Sequence, residues 1–148
     1  MIEIVKGVMA HAEAIAQFQV DMALESEGTV LGKETLLRGV SHAMADESKG
    51  TYLVALADGE AIGSLLLTRE WSDWNDAWYY WIQSVFVKAE HRRKGVYRAL
   101  YERACEMARA DGATQIRLYV DRTNATGLKT YNALGMHESH YLMYEREL

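Results

Sequence analysis

The sequence predicts an α+β fold, one mixed β-sheet flanked by helices, and three observations carry that expectation. A run of aromatic and β-branched residues, Trp78 to Val87, passes through a cation-rich turn into a stretch with helical apolar spacing. An Asp58-Gly59 pair sits between two apolar runs, a strong hairpin signal. No repeat, low-complexity stretch or linker divides the 148 residues, enough for one core without disulfides or metal. A single domain over 1–148 is therefore expected.

Each element follows in order. Ile2 to Val5 reads as a short strand, and Ala10 to Leu24 as a helix with Ala14, Ile15, Phe18 and Met22 on one face. A second helix runs from Lys33 to Ala45. Thr51 to Ala57 and Ala61 to Thr68 flank the Asp58-Gly59 turn, and the aromatic strand Trp78 to Val87 comes next. Val96, Leu100, Ala104 and Met107 then repeat at helical spacing from Gly95, and Asp111-Gly112 ends that helix. Gln115 to Val120 makes a strand, Ala125 to Leu134 a helix closed by Gly135, and His137 to Glu147 a last strand. The order is β-α-α-β-β-β-α-β-α-β.

Composition narrows the function classes. The net charge of −5 favours a small cationic substrate over nucleic acid, which wants a broad basic face. No apolar run approaches a membrane span, and the N-terminus reads as a strand without a signal peptide. The lone Cys105 falls in a helix and reads as a small packed residue, so a reducing cytoplasm is the expected setting. The Asn124-Ala125-Thr126 sequon has no meaning there.

The eleven residues from Lys88 to Arg98 set five Lys or Arg against one Glu at a strand-to-helix junction. A helix dipole disfavours cations at its N-terminus, so their crowding there points to an anionic ligand. Gly95 lets backbone approach that ligand, and free N–H groups of the first turn aim at it. A phosphate or pyrophosphate fits best. Gly28, Gly32 and Lys33 faintly suggest a P-loop, but the spacing is one residue short and Glu34 stands where Ser or Thr should hold magnesium. The three-glycine dinucleotide fingerprint follows no strand.

Arg92, Lys94, Gly95 and Tyr97, after Val85-Phe86-Val87 and before Arg98-Ala99-Leu100, resemble the acyl-CoA-binding turn of GCN5-related N-acetyltransferases, (Arg/Gln)-x-x-Gly-x-(Gly/Ala). Asn124, Gly127, Tyr131 and Gly135-Met136 are similar to that family's next segment, so the likeness covers roughly residues 78 to 148. Three departures stand out. Tyr97 replaces the second Gly/Ala and must turn its ring away, Ala89 stands where Pro is common, and Met136 replaces a Phe. None removes a backbone donor, since the chain has no proline.

The resemblance implies acetyl-CoA as cofactor, held by Val85, Phe86, Val87, Arg92, Arg93, Lys94, Gly95, Val96, Tyr97, Arg98, Asn124 and Tyr131. It implies that the central strand and the next one splay apart to admit the pantetheine arm. Transfer to the amine would be direct, with backbone donors near Val85 polarising the acyl oxygen and Tyr131 donating a proton to the leaving thiolate. The residues alone also allow Asn124 a helix cap and Tyr131 plain packing with Leu128 and Leu134.

A base is harder to read. An amine with a pKa of ~10 is about 99.9% protonated at pH 7, so something must remove a proton before attack. Where some members carry a strand carboxylate, this chain has Trp81. Water or an acid such as Asp73, Asp76 or Glu25 is left. For the acceptor, the cluster Trp71, Trp74, Trp78, Tyr79, Tyr80 and Trp81 suits a cationic amine, with Trp74, Asp76, Tyr80 and Trp81 the chosen contacts. Core packing or a homodimer contact are the competing uses of those aromatics.

The sequence-based reading is an acetyl-CoA-dependent N-acetyltransferase acting on a primary amine of a small molecule. A protein or peptide N-acetyltransferase and a non-catalytic acyl-CoA sensor are the alternatives.

Overall fold

A computed structural model describes all 148 residues, and they fall into two compact units, Met1–Leu118 and Tyr119–Leu148. The first contains a five-stranded sheet of β1 (Ile2–Lys6), β2 (Thr51–Ala57), β3 (Glu60–Ser72), β4 (Ala77–Val87) and β5 (Gln115–Arg117), in that spatial order. The first four strands are antiparallel, and β5 lies parallel to β4. Helices α1 (Ala12–Glu27) and α2 (Lys33–Ala45) join β1 to β2, while α3 (Val96–Ala110) carries the chain from β4 to β5. A parallel pair cannot be closed by a tight turn, which is why a helix intervenes there.

The β2–β3 hairpin turns at Asp58 and Gly59, both left-handed, with φ of 50° and 80°. That is the conformation an Asp-Gly turn supplies. β3 runs four residues beyond the expected Thr68, because Arg69 to Ser72 find partners in Tyr80 to Ala77. Trp71 meets Trp78 edge to face at 4.9 Å, and Arg69 lies 4.4 Å from the Trp78 ring centroid. Such cross-strand pairs stabilise a hairpin past the point where its apolar alternation ends.

Two cores sit on opposite faces of the sheet. Ile15 and Ala16 of α1, Val40 and Ala43 of α2, and Tyr52 and Val54 of β2 make one. Leu100, Ala104 and Ala108 of α3 pack with Leu53, Leu65, Leu67, Tyr80 and Ile82 to make the other. Leu65 is fully buried in the middle strand. Leu65→Ala is expected to cost about 3–4 kcal/mol through lost transfer energy and a residual cavity. Urea unfolding should show the midpoint falling with an unchanged slope.

Tyr80 belongs to this core, 8% exposed, with its hydroxyl donating to Asp111 Oδ2 at 2.7 Å. Burial, and then the Asp111 carboxylate, push its pKa up from 10.0 to about 12. A raised folded-state pKa leaves stability intact below pH 10 and erodes it as pH climbs towards 12. Native stability should therefore fall across that window more steeply than that of Tyr80→Phe.

The second unit contains α4 (Ala125–Ala133), capped by Asn124, whose Oδ1 accepts the Gly127 N–H at 2.9 Å. Residues 137–148 form no strand, although their composition predicts one, and Tyr141, Leu142, Met143 and Tyr144 are exposed. Strand propensity describes a residue's fit to a sheet surface and supplies no neighbour. β5 is likewise three residues long where six were expected. No helix is long and apolar enough to cross a membrane.

Candidate cofactor and acyl-transfer site

The pairing of β4 with β5 covers only Tyr79–Trp81 against Gln115–Arg117. Beyond Trp81, six residues of β4 have no register partner on β5. On its other side β4 stays paired to β3 as far as Val87, but with a bulge: Ser64 faces Phe86 and Leu66 faces Gln83, so Ser84 and Val85 together oppose Leu65. Ser84 takes φ 54°, a left-handed value in mid-strand. The bulge reverses the pleat, so that Gln83 and Phe86, three apart, share the α1 side.

Five residues past Val87 lies the turn. Arg93 and Gly95 both have positive φ, 61° and 82°, and Gly95 is the N-cap of α3. The first helical bond runs from the Ala99 N–H to the Gly95 carbonyl at 3.0 Å, so Val96 and Arg98 precede any intrahelical acceptor. No acidic side chain stands in the first turn of α3 and none caps it. A Cβ built on Gly95 would meet nothing within 4 Å, which leaves its outer face open.

The cations divide into two groups. Arg92 is held within the protein: Nε donates to the Val87 carbonyl at 2.8 Å and Nη2 pairs with Glu25 at 2.7 Å. Arg98 pairs with Glu102 at 3.1 Å and Lys88 with Glu60. Arg93 and Lys94 enter no ion pair and are exposed. They and the helix dipole supply net positive character where Gly95 is open. The Tyr97 ring tilts against Tyr101, centroids 6.3 Å apart, so it runs along the helix as its place in the turn demands.

These residues fit a pyrophosphate-bearing cofactor, and the acceptor candidates are more scattered. Trp74 and Asp76 lie in the β3–β4 hairpin tip, with Trp74 89% exposed. Nine residue steps along the chain separate Asp76 from Val85, about 30 Å at the usual strand rise. Tyr80 points into the α3 core and binds Asp111. Of the base candidates, Asp73 shares the hairpin tip and Glu25 is bound to Arg92.

Trp81 is different. On the opposite face from Tyr80, its Nε1 donates to Glu70 Oε1 at 2.9 Å, and Arg117 pairs with the same oxygen at 3.7 Å while lying 4.0 Å over the Tyr79 ring. Glu70, in register with Tyr79, thus brings a carboxylate against the edge of the Trp81 indole. Sequence spacing along β4 has no means of finding a group on β3. The bulge at Ser84 was equally hidden, since no glycine marks it.

In the second unit, Asn124 is the α4 cap, and Tyr131 stands two turns along the same helix. A cavity of about 380 Å³ lies elsewhere, between Lys6, Glu47, Arg69, Tyr80 and Asp111 at the C-terminal end of α3. The length of α3, roughly 20 Å by its rise per residue, separates it from the turn.

Residues 13–136 match the profile described as "Acetyltransferase (GNAT) family". Streptothricin acetyltransferase of Streptomyces lavendulae is 31% identical over 90 residues, 61% of this chain and 46% of that protein. The chain thus spans about half the length of that curated relative. A crystal structure described as "a possible acetyltransferase" from Clostridium difficile 630 superposes with a TM-score of 0.93 at 36% identity, covering 100% of this chain and 98% of that one. An aminoglycoside N-acetyltransferase in complex with CoA shares the fold with a TM-score of 0.84 at 17% identity, over 99% of this chain and 95% of that one.

Proposed function

Because this chain belongs to the acetyltransferase (GNAT) family, we propose that it moves the acetyl group of acetyl-CoA directly to a primary amine of a small molecule. The observation that carries the reading is the open, positively charged N-terminus of α3 at Gly95, reached from a bulged β4 whose pairing with β5 has ended. The streptothricin relative supports a small-molecule acceptor. On this reading residues 1–148 act as one acetyltransferase domain.

When bound, acetyl-CoA supplies an activated acyl carbon, so no nucleophilic side chain is needed. The chain's part is to hold and polarise. Backbone N–H groups of Val96 and Arg98, with the Arg93 and Lys94 side chains, bind the pyrophosphate. Arg92 fixes the turn to the end of β4 through the Val87 carbonyl and to α1 through Glu25. The backbone at Val85 and Val87 would offer strand-like hydrogen bonds to the pantetheine arm, and the Val85 N–H would donate to the acyl oxygen as negative charge develops there. Tyr131 would supply the proton for the leaving thiolate, and Asn124 caps the start of α4. Trp81 and Glu70 would offer a ring and a carboxylate to a cationic acceptor on this face of β4, where Arg117 already covers Tyr79, with water removing its proton.

Calorimetric titration with acetyl-CoA and with CoA tests the cofactor, and acetylation across a panel of small amines tests the reaction. Micromolar binding with turnover is expected. Binding without turnover on any amine would mark a sensor, transfer only to peptides would move the acceptor class, and no binding would end the reading.

A further inference from the structure

Ser84 is the one non-glycine residue with a positive φ inside a strand; the other three, Asp58, Asp76 and Arg93, lie in turns. A left-handed serine costs about 1–2 kcal/mol and persists only where its surroundings impose it. One imposing contact comes from α1. Gln19, 5% exposed, donates from Nε2 to the Ser84 carbonyl at 3.3 Å, across 65 residues of sequence. Next to it, Phe18 stacks on Phe86 with centroids 5.3 Å apart, so two successive residues of α1 contact β4 at the bulge and just after it. Gln19 is a polar residue on a buried face where a leucine would serve packing better.

The peptide between Ser84 and Val85 is planar and trans, so its carbonyl and its N–H point in opposite directions. A donor that fixes the Ser84 oxygen therefore fixes the Val85 N–H as well. We propose that Gln19 is a positioning residue for acyl transfer: by clamping the Ser84 carbonyl it holds the bulge and aims the Val85 N–H at the acyl oxygen. The inference rests on the acetyltransferase reading above for its kinetic consequence, and on the bulge geometry alone for its structural one.

Gln19→Met keeps the length of the side chain and removes the donor. The expected result is a kcat lower by about ten- to a hundredfold, as for a misaimed catalytic group. The Kd for CoA should change far less than kcat, because the Gly95 turn is untouched and only the Val85 end of the pantetheine contacts moves, and the ¹³C shifts of Ser84 should leave the left-handed range in the unliganded protein. Adding Ser84→Gly should restore much of the lost kcat, since glycine holds a positive φ without a clamp. A folded Gln19→Met protein with native kcat and native Ser84 shifts overturns the proposal. So does a parallel loss of kcat and CoA affinity that Ser84→Gly does not rescue, the mark of packing alone. If the native protein fails to bind acetyl-CoA, the functional reading falls, and the Ser84 shifts of Gln19→Met still decide whether the clamp exists.

Discussion

Gly95→Asp is expected to weaken acetyl-CoA binding by about a hundredfold, or ~2.8 kcal/mol, while the protein stays folded. Both halves of that outcome follow from the turn. A Cβ at position 95 meets nothing within 4 Å, so the protein itself has room for the new side chain. The φ of 82° makes any L-residue costly there, and aspartate is among those that tolerate the left-handed region best, so the fold should lose only about 1 kcal/mol. The carboxylate, however, adds negative charge and bulk at the spot where the N-terminus of α3, Arg93 and Lys94 attract phosphate. Titration calorimetry beside thermal unfolding separates the two effects. A folded variant with native affinity would show that the pyrophosphate binds elsewhere.

Tyr131→Phe is expected to lower kcat by about a hundredfold with little change in the Kd for acetyl-CoA, the signature of a proton delivered only as the thiolate departs. The ring is kept and only the hydroxyl is lost, and melting recorded beside the kinetics separates a lost proton donor from a lost structural contact. Steady-state kinetics beside CoA titration make the split visible. A native kcat would reduce Tyr131 to the packing role that its spacing with Leu128 and Leu134 also permits. Glu70 is a separate matter, tied to Trp81 and Arg117 on the face of the sheet opposite Tyr80.

Much of the architecture was legible before any coordinates. Helix α2 and strand β2 have the boundaries that the sequence predicts, and α3 begins at the glycine that its apolar spacing requires. The turn at Gly95 was legible too, from five positive charges beside a glycine at a strand-to-helix junction, but not that Glu60, Glu25 and Glu102 pair with Lys88, Arg92 and Arg98 and leave Arg93 and Lys94 outside any ion pair. Reading acceptor contacts from an aromatic run was less secure. Alternation sends Tyr80 to the α3 core and Trp81 to the other face, and Trp74 falls on a hairpin tip that β3 pushes four residues further than its apolar pattern suggests.

What the sequence by itself determined is what near neighbours in the chain decide: helical faces, the Asp58-Gly59 turn, the glycine cap and the charge at Lys88–Arg98. Only the tertiary structure decided the bulge at Ser84, the Gln19 contact to its carbonyl, the Glu70 carboxylate beside Trp81, where the β4–β5 pairing stops, and that residues 137–148 join no strand. The physical reason is range. Turn chemistry and helical periodicity act over a few residues, whereas a strand's register, its bulges and its buried polar contacts depend on partners up to 65 positions away, whose identity no local pattern encodes.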